Sequence, residues 1–304
     1  MGADTDLTGR TAIITGAGGG LGRSEALALA RRGAAVVVND VGAGAEAVTA
    51  EITAAGGRAV AVPGDVGDWS SGERLVDAAV ASFGRLDVVV NNAGVLRDRM
   101  LFNLSEQDWD DVVRVHLKGH AAVSRAAAAH WRAESKRAGA AVYGRVINTA
   151  SEAFLFGAPG QPNYSAAKAG IVALTLSTAA GLARYGVRAN AICPRARTGM
   201  TADVFDGPAD GPDLLDPERV ATFVSYLAAP AAEDISGQVF VVYGDMVALL
   251  SPPAVERKFV AADGTFSVEE LDRTLSAHFT GRDPHRTFAA TDVAALDTTG
   301  ATTP

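Results

Sequence analysis

From Thr11 onward the chain alternates short β-branched runs with longer alanine-rich stretches, a rhythm that excludes most folds. Thr11–Thr15, Ala35–Asn39, Ala59–Val62, Leu86–Val90, Tyr143–Asn148, Val187–Ile192 and Gln238–Tyr243 read as strands. Between them, Leu21–Arg32, Ala45–Ala55, a stretch from a cap at Asp68 to about Phe83, Ser105 towards Arg132, Asn163–Tyr185 and a segment opening at Asp216-Pro217-Glu218 read as helices. Gly33 and Gly56-Gly57 stop the first two helices. Ser105 and Asp108 give a capping-box pattern, and Asp216 with Pro217 supplies a cap and a first-turn proline. Strands without polar alternation are buried on both faces, as in a parallel sheet. Strand–helix alternation with right-handed crossovers then predicts one α/β domain, doubly wound, with seven parallel strands and helices on both faces.

The turn between the first strand and the first helix is Thr15-Gly16-Ala17-Gly18-Gly19-Gly20-Leu21-Gly22. Glycines let a backbone turn tightly and approach a pyrophosphate, which then sits on the helix N-terminus. Gly16, Gly18, Gly20, Leu21 and Gly22 are therefore candidate nucleotide ligands. The spacing Gly16-x3-Gly20-x-Gly22 differs from the usual G-x-G-x-x-G fingerprint. Asp40 follows the second strand, where a carboxylate accepts both ribose hydroxyls of NAD and repels the additional phosphate of NADP. No Lys or Arg lies in residues 11–22 or 33–57 to neutralise that phosphate, so the expected cofactor is NAD. Asp65 and Val66, after the third strand, either meet the adenine ring or start the next helix. Asn91-Asn92-Ala93-Gly94 ends the fourth strand with two amides and a small-residue turn, which lets the backbone approach the cofactor.

Tyr164-Ser-Ala-Ala-Lys168 places a phenol and an ammonium one helical turn apart, on one face. Ser151 precedes Tyr164 by thirteen residues, just after the fifth strand. A phenol beside a fixed positive charge suits moving a proton on and off an alcohol oxygen. An unperturbed tyrosine has a pKa of ~10, so service as a base near neutrality needs a fall of about 2–3 units. Lys168 and an oxidised nicotinamide both act in that direction. Ser151 would hold the substrate oxygen.

Taken in order, the glycine turn, the acidic residue after strand two, Asn-Asn-Ala-Gly, the serine and Tyr-x-x-x-Lys resemble the short-chain dehydrogenase/reductase family over roughly residues 7–245. The resemblance implies a seven-stranded Rossmann sheet in a dimer or tetramer. It implies Ser151 as holder of the substrate oxygen, Tyr164 as acid/base, Lys168 as tuner of the phenol and ligand of the nicotinamide ribose, and Pro194 on the nicotinamide side. The family usually places an asparagine in the long fourth helix, where this chain has Val115-His116-Leu-Lys-Gly119. An imidazole there either relays a proton or simply packs in the helix. Val36–Asp40, Gly94–Arg99, Val115–Gly119 and Gly160–Lys168 are similar to the (R)-3-hydroxyacyl-CoA dehydrogenase part of peroxisomal multifunctional β-oxidation enzymes, where a histidine occupies the same stretch. The chain also resembles actinobacterial ketoacyl reductases and hydroxysteroid dehydrogenases.

These features predict an oxidoreductase interconverting a secondary alcohol and a ketone. A 3-hydroxyacyl thioester is the first expectation for its substrate and a hydroxysteroid the second. A non-catalytic NAD-binding regulatory protein is the reading from another class, and the intact Ser, Tyr and Lys argue against it. Phe154, Leu155 and Phe156 would line the site of an apolar substrate, or belong to the core. Arg195 and Arg197 would meet a CoA phosphate or form salt bridges. Residues 198–213, rich in Gly, Pro and Asp, read as a flap over the substrate. Residues 246–304 form a C-terminal extension with a possible short helix at Ser267–His278 and an end expected to be disordered.

A net charge of −8 argues against nucleic acid or an anionic membrane as partner. One cysteine, Cys193, excludes an internal disulfide and fits a reducing compartment. The first residues show no secretory signal, and no apolar run is expected to reach the ~18 residues of a spanning helix. A cytoplasmic homo-oligomer without a metal is expected.

Overall fold

The computed structural model describes residues 4–199, 213–283 and 286–297. Seven parallel strands form as expected: β1 (Thr11–Thr15), β2 (Ala35–Asn39), β3 (Arg58–Ala61), β4 (Val88–Asn91), β5 (Gly144–Thr149), β6 (Val187–Pro194) and β7 (Val239–Tyr243). An eighth, β8 (Met246–Leu249), pairs antiparallel with β7 at the sheet edge, so the expected count of seven is one short. Its signal was weak because Gly244 and Asp245 leave room for only a two-residue turn. The order is β3-β2-β1-β4-β5-β6-β7-β8.

Side-chain alternation along the strands builds two large cores and, near the β5–β7 ends, a smaller cluster around Ala150, Ile171 and Cys193. Ala12, Ile14, Val36, Val38, Val88 and Val90 face α1 (Gly20–Arg31), α2 (Gly44–Ala54) and α8 (Pro217–Ala228), meeting Leu29, Ile52 and Val224. Ile13, Val37, Val89 and Val146 face the opposite layer, α3 (Ser71–Phe83), α5 (Gly119–Ala138) and α7 (Pro162–Leu182), and pack on Leu75, Val123 and Trp131. One member of the first layer breaks the apolar rule. Glu25 of α1 is fully buried, and neither carboxylate oxygen has a hydrogen-bond partner.

Helix caps largely follow the sequence. In α4 (Glu106–Val113) the Ser105–Asp108 capping box is complete, and Asp216 caps α8 through the Glu218 amide at 2.9 Å. Asp68 does not cap α3: the chain makes a turn through Asp65–Ser71 first, with the Ser71 hydroxyl bonded to the Asp65 carbonyl at 2.5 Å. The single long helix expected from Ser105 to Arg132 is broken by a π-helical turn at Arg114–Lys118. Such turns re-aim side chains, and this one carries His116. Helix α7 continues through a 3-10 turn to Tyr185, and by length and composition Pro162–Tyr185 is apolar enough to cross a membrane, contrary to the expectation that no run would be. One face packs on β6 and β5 and carries buried Lys168 and Ile171.

Candidate active site

β1 and β4 are neighbours from which the chain continues to opposite sides, and the crevice at their C-terminal ends is where doubly wound sheets hold ligands. Thr15 and Asn92 stitch the two strand ends together. The Thr15 hydroxyl accepts the Asn92 and Ala93 amides at 3.0 and 3.2 Å, and the Asn92 side-chain amide donates to the Thr15 and Gly16 carbonyls at 3.1 and 3.2 Å. This closeness is why glycine is needed. A Cβ on Gly16, whose φ is +63°, would lie 2.7 Å from the Ala93 Cα, and one on Gly22 only 2.3 Å from the Gly16 carbonyl oxygen. Over the turn lies Asp40, its carboxylate accepting the Gly18 amide at 3.0 Å and the Gly42 amide at 3.2 Å. Arg23, the first cation after the turn, is held by Glu51 at 2.6 Å.

A cleft of about 320 Å³ opens above this crest. It brings together Gly16, Gly20, Leu21, Asp40, Asn92, Ala93 and Gly94 with Ser151, Tyr164, Lys168, His116 and Pro194. Gly18 and Gly22 lie beneath it, shaping the turn through the contacts just given.

On α7, Lys168 follows Tyr164 by one turn, its Nζ 5.4 Å from the phenol ring centroid and donating to the Thr149 carbonyl at 2.5 Å. The Ser151 hydroxyl, which accepts the Ala153 amide at 3.2 Å, lines the cleft beside the phenol. Burial dominates the charges. It pushes the Tyr164 phenol up to about 12 against the downward pull of Ser151, and the Lys168 ammonium down to about 7. The expected lowering of the phenol invokes Lys168 together with an oxidised nicotinamide; within the protein alone, desolvation sets the direction. His116 stacks edge-on against Tyr164, with centroids 5.2 Å apart. Its Nε2 lies 3.0 Å from the Val95 amide and 2.8 Å from the Val95 carbonyl, while Nδ1 is buried without a partner. Burial, then the charge of Lys168, holds this imidazole well below its ordinary range, so it is neutral at physiological pH.

Several expected residues lie elsewhere. Asp65 is bonded to Arg114 at 2.5 Å and to the Gly67 amide at 2.7 Å, and Val66 packs under Gly119; neither lines the cleft. Phe154 and Leu155 line a separate apolar cavity of about 540 Å³ with Val172, Leu176 and Val293, and Phe156 lines neither. The short helix α6 (Ala153–Phe156) turns them away from the crest, a reversal that an apolar triplet does not reveal. Arg195 is paired with Glu152 at 2.7 Å and Arg197 with Asp213 at 3.3 Å, the salt-bridge alternative of the two open for them. Most of the expected flap, residues 200–212, lies outside the described residues, as does the chain end from 298, though Thr198 and Gly199 line the cleft. Thr149 was missed: its role is a main-chain carbonyl, which leaves no mark in residue type. His120, fully buried one turn after His116 and pushed down to about 3 by burial, was missed as well.

Residues 10–208 match the short chain dehydrogenase family. The chain is 55% identical over 301 residues, covering 95% of it and 94% of the relative, to the hydroxyacyl-CoA dehydrogenase ChsB1 of Mycobacterium tuberculosis. It is 42% identical over 247 residues, 78% of this chain and 32% of the relative, to the peroxisomal multifunctional enzyme type 2 of Mus musculus. The crystal structure of a short chain dehydrogenase from Mycobacterium avium superposes with a TM-score of 0.83 at 45% identity, covering 91% of this chain and 97% of that one. A glycine turn under a doubly wound crest, Ser151, Tyr164 and Lys168 lining the cleft above it, and this breadth of similarity place the chain in the short-chain dehydrogenase family, as a nicotinamide-dependent oxidoreductase of alcohols and ketones.

Proposed function

We propose that the protein interconverts 3-hydroxyacyl and 3-oxoacyl thioesters with NAD(H). The observation that carries this reading is the corner where half-buried Tyr164 and Ser151 and buried Lys168 line one cleft beside the glycine turn. The hydroxyacyl-CoA dehydrogenase named above, similar along nearly the whole chain, supports the substrate class.

The site fits a dinucleotide. Gly16 and Gly22 keep the turn free of side chains, the N-terminus of α1 would hold a pyrophosphate, and Asp40, which lines the cleft, would accept a ribose. Bound nicotinamide supplies the hydride acceptor or donor. The chain's own residues handle the proton. Ser151 Oγ orients the substrate oxygen, and Tyr164 Oη removes its proton in oxidation and returns it in reduction. Lys168, anchored by the Thr149 carbonyl, would bind the nicotinamide ribose beside the phenol, and Pro194 would line the nicotinamide side. His116 stands where the family has asparagine and packs edge-on against Tyr164, its Nε2 held at the Val95 main chain. Residues 7–245 form the dinucleotide-binding domain, and 246–304 extend it.

Asp40 selects NAD. Two like charges about 4 Å apart at an effective dielectric near 20 repel by ~4 kcal/mol. The wild type is therefore expected to prefer NAD over NADP by about a hundredfold or more in kcat/KM, and Asp40→Ser to erase most of that preference. Equal use of both cofactors by the wild type contradicts the assignment. Gly22→Ala forces backbone atoms apart and is expected to weaken NADH binding about a hundredfold in fluorescence titration; unchanged affinity contradicts the cradle.

The exposed apolar flank of α7 at Leu176 and the edge strand β8, with Val247 and Leu249 exposed, support a homodimer or homotetramer, and a buried free Cys193 is compatible with a cytoplasmic setting. The substrate class is tested by following reduced-nicotinamide absorbance with 3-hydroxyacyl-CoA thioesters of graded length and with hydroxysteroids. The thioesters are expected to give the higher kcat/KM, and turnover confined to steroids overturns the reading.

A further inference from the structure

The C-terminal extension returns to the loop that carries Ser151, and one guanidinium joins them. Arg195 follows the last residue of β6. Its Nε and Nη2 each bond one carboxylate oxygen of Glu152 at 2.7 Å, a bidentate pair whose two side chains are only 16% and 11% exposed. The same guanidinium donates to two main-chain carbonyls of the extension, Val293 at 2.7 Å and Leu296 at 2.8 Å. A third tie is independent of the arginine: the Ala290 amide donates to the Leu155 carbonyl at 3.0 Å. Val293 and Leu296 also pack against the apolar cluster of Ala150, Ile171, Cys193 and Val241.

These contacts bracket Ser151. Ala150 on one side lies in the cluster that the extension covers, and Glu152 on the other side is gripped by Arg195. A planar guanidinium can span a carboxylate and two carbonyls at once, which a single ammonium does not do. Charge-assisted bidentate bonds at low exposure are strong and directional, and removing one partner leaves the other charge poorly compensated.

We propose that Arg195 is a positioning residue that straps residues 290–297 onto the Ser151 loop, so that the extension holds the serine hydroxyl in register with Tyr164. The inference rests on the proposed roles of Ser151 and Tyr164, and adds that residues some 140 positions downstream in the sequence govern them. Misplacement of an orienting hydroxyl by about 1 Å costs up to about a hundredfold in rate.

The test uses the full chain with Val293→Asp, which drives a charge into the apolar seat of the strap, and Arg195→Met, alone and combined. Hydrogen exchange at the Ala290 amide reports release of the strap. Each variant is expected to expose that amide and to lower kcat for a 3-hydroxyacyl-CoA about tenfold or more, with NADH affinity unchanged within about twofold. The double variant should fall no further than the worse single one, because both changes open the same strap. In a Ser151→Ala background, Val293→Asp should leave the residual rate unchanged, a result that general loss of structure would not give. Should Arg195→Met fail to fold, Arg195→Lys gives the same readings, since it keeps a charge beside Glu152 while losing the carbonyl bonds. Full wild-type turnover by Val293→Asp with its Ala290 amide exposed overturns the strap while leaving the reaction itself intact. So do rate losses that multiply in the double variant, or an equal loss in the Ser151→Ala background.

Discussion

Replacing Tyr164 with Phe lowers kcat for both oxidation and reduction by about 10²–10⁴-fold while NADH affinity stays within about twofold. The change removes one oxygen from a side chain that the fold buries against His116 and one turn from Lys168, so ring packing is kept and only the exchangeable proton is lost. The pH dependence of the wild type carries the sign of the same chemistry. Ketone reduction needs the neutral phenol, and burial pushes that group up to about 12, so reduction should show no loss of rate from phenol ionisation between about pH 7 and 9. Alcohol oxidation needs the phenolate and should rise with pH across the same range. A variant that turns over at rates comparable to the wild type contradicts the acid/base assignment.

Replacing Glu25 with Leu stabilises the cofactor-free protein, by an amount that grows with pH. Glu25 is fully buried in α1, has no hydrogen-bond partner for either oxygen, and is pushed up to about 8 by burial alone. A carboxyl whose folded pKa is raised contributes no pH-linked penalty below its unfolded value of 4.5, and costs progressively more stability as pH rises through about 8. Each pKa unit corresponds to about 1.4 kcal/mol, so between about pH 4 and pH 9 the wild type loses roughly 4–5 kcal/mol through this group. Leucine, of similar volume and apolar, is free of that loss. Urea midpoints measured near pH 5 and pH 9 should show the variant's advantage widening towards alkaline pH. Parallel pH profiles for the two proteins would mean that Glu25 finds a partner or stays hydrated.

How far the sequence reached follows from where the physics is local. Strand positions were legible because both-face burial leaves uninterrupted β-branched runs such as Val36–Val38, and the crest was legible because close approach demands glycine at Gly16 and Gly22. Contacts made by the main chain were not. The Thr149 carbonyl that anchors Lys168 is invisible in residue type, and so is the π-helical turn that aims His116. Nor could an apolar triplet tell which of two cavities it would line, since α6 reverses direction just after Ser151 and sends Phe154 and Leu155 to the second one. The tyrosine's environment is legible only in part: a charge four residues away is evident in sequence, whereas the desolvation that raises the phenol depends on everything packed around it. Glu25 shows the same limit, a polar residue on a helix whose partners and exposure only the fold decides.

In the proposed reaction a carbinol hydrogen passes directly to nicotinamide at this crest while Tyr164 takes the hydroxyl proton. The decisive measurement is a single turnover with a 3-hydroxyacyl-CoA carrying deuterium on the carbinol carbon, read by mass spectrometry of the reduced cofactor. The label should appear in the cofactor in full with the wild type and only at a greatly reduced rate with Tyr164→Phe. Label released to water, or transfer that proceeds as fast without the phenol, would contradict the account.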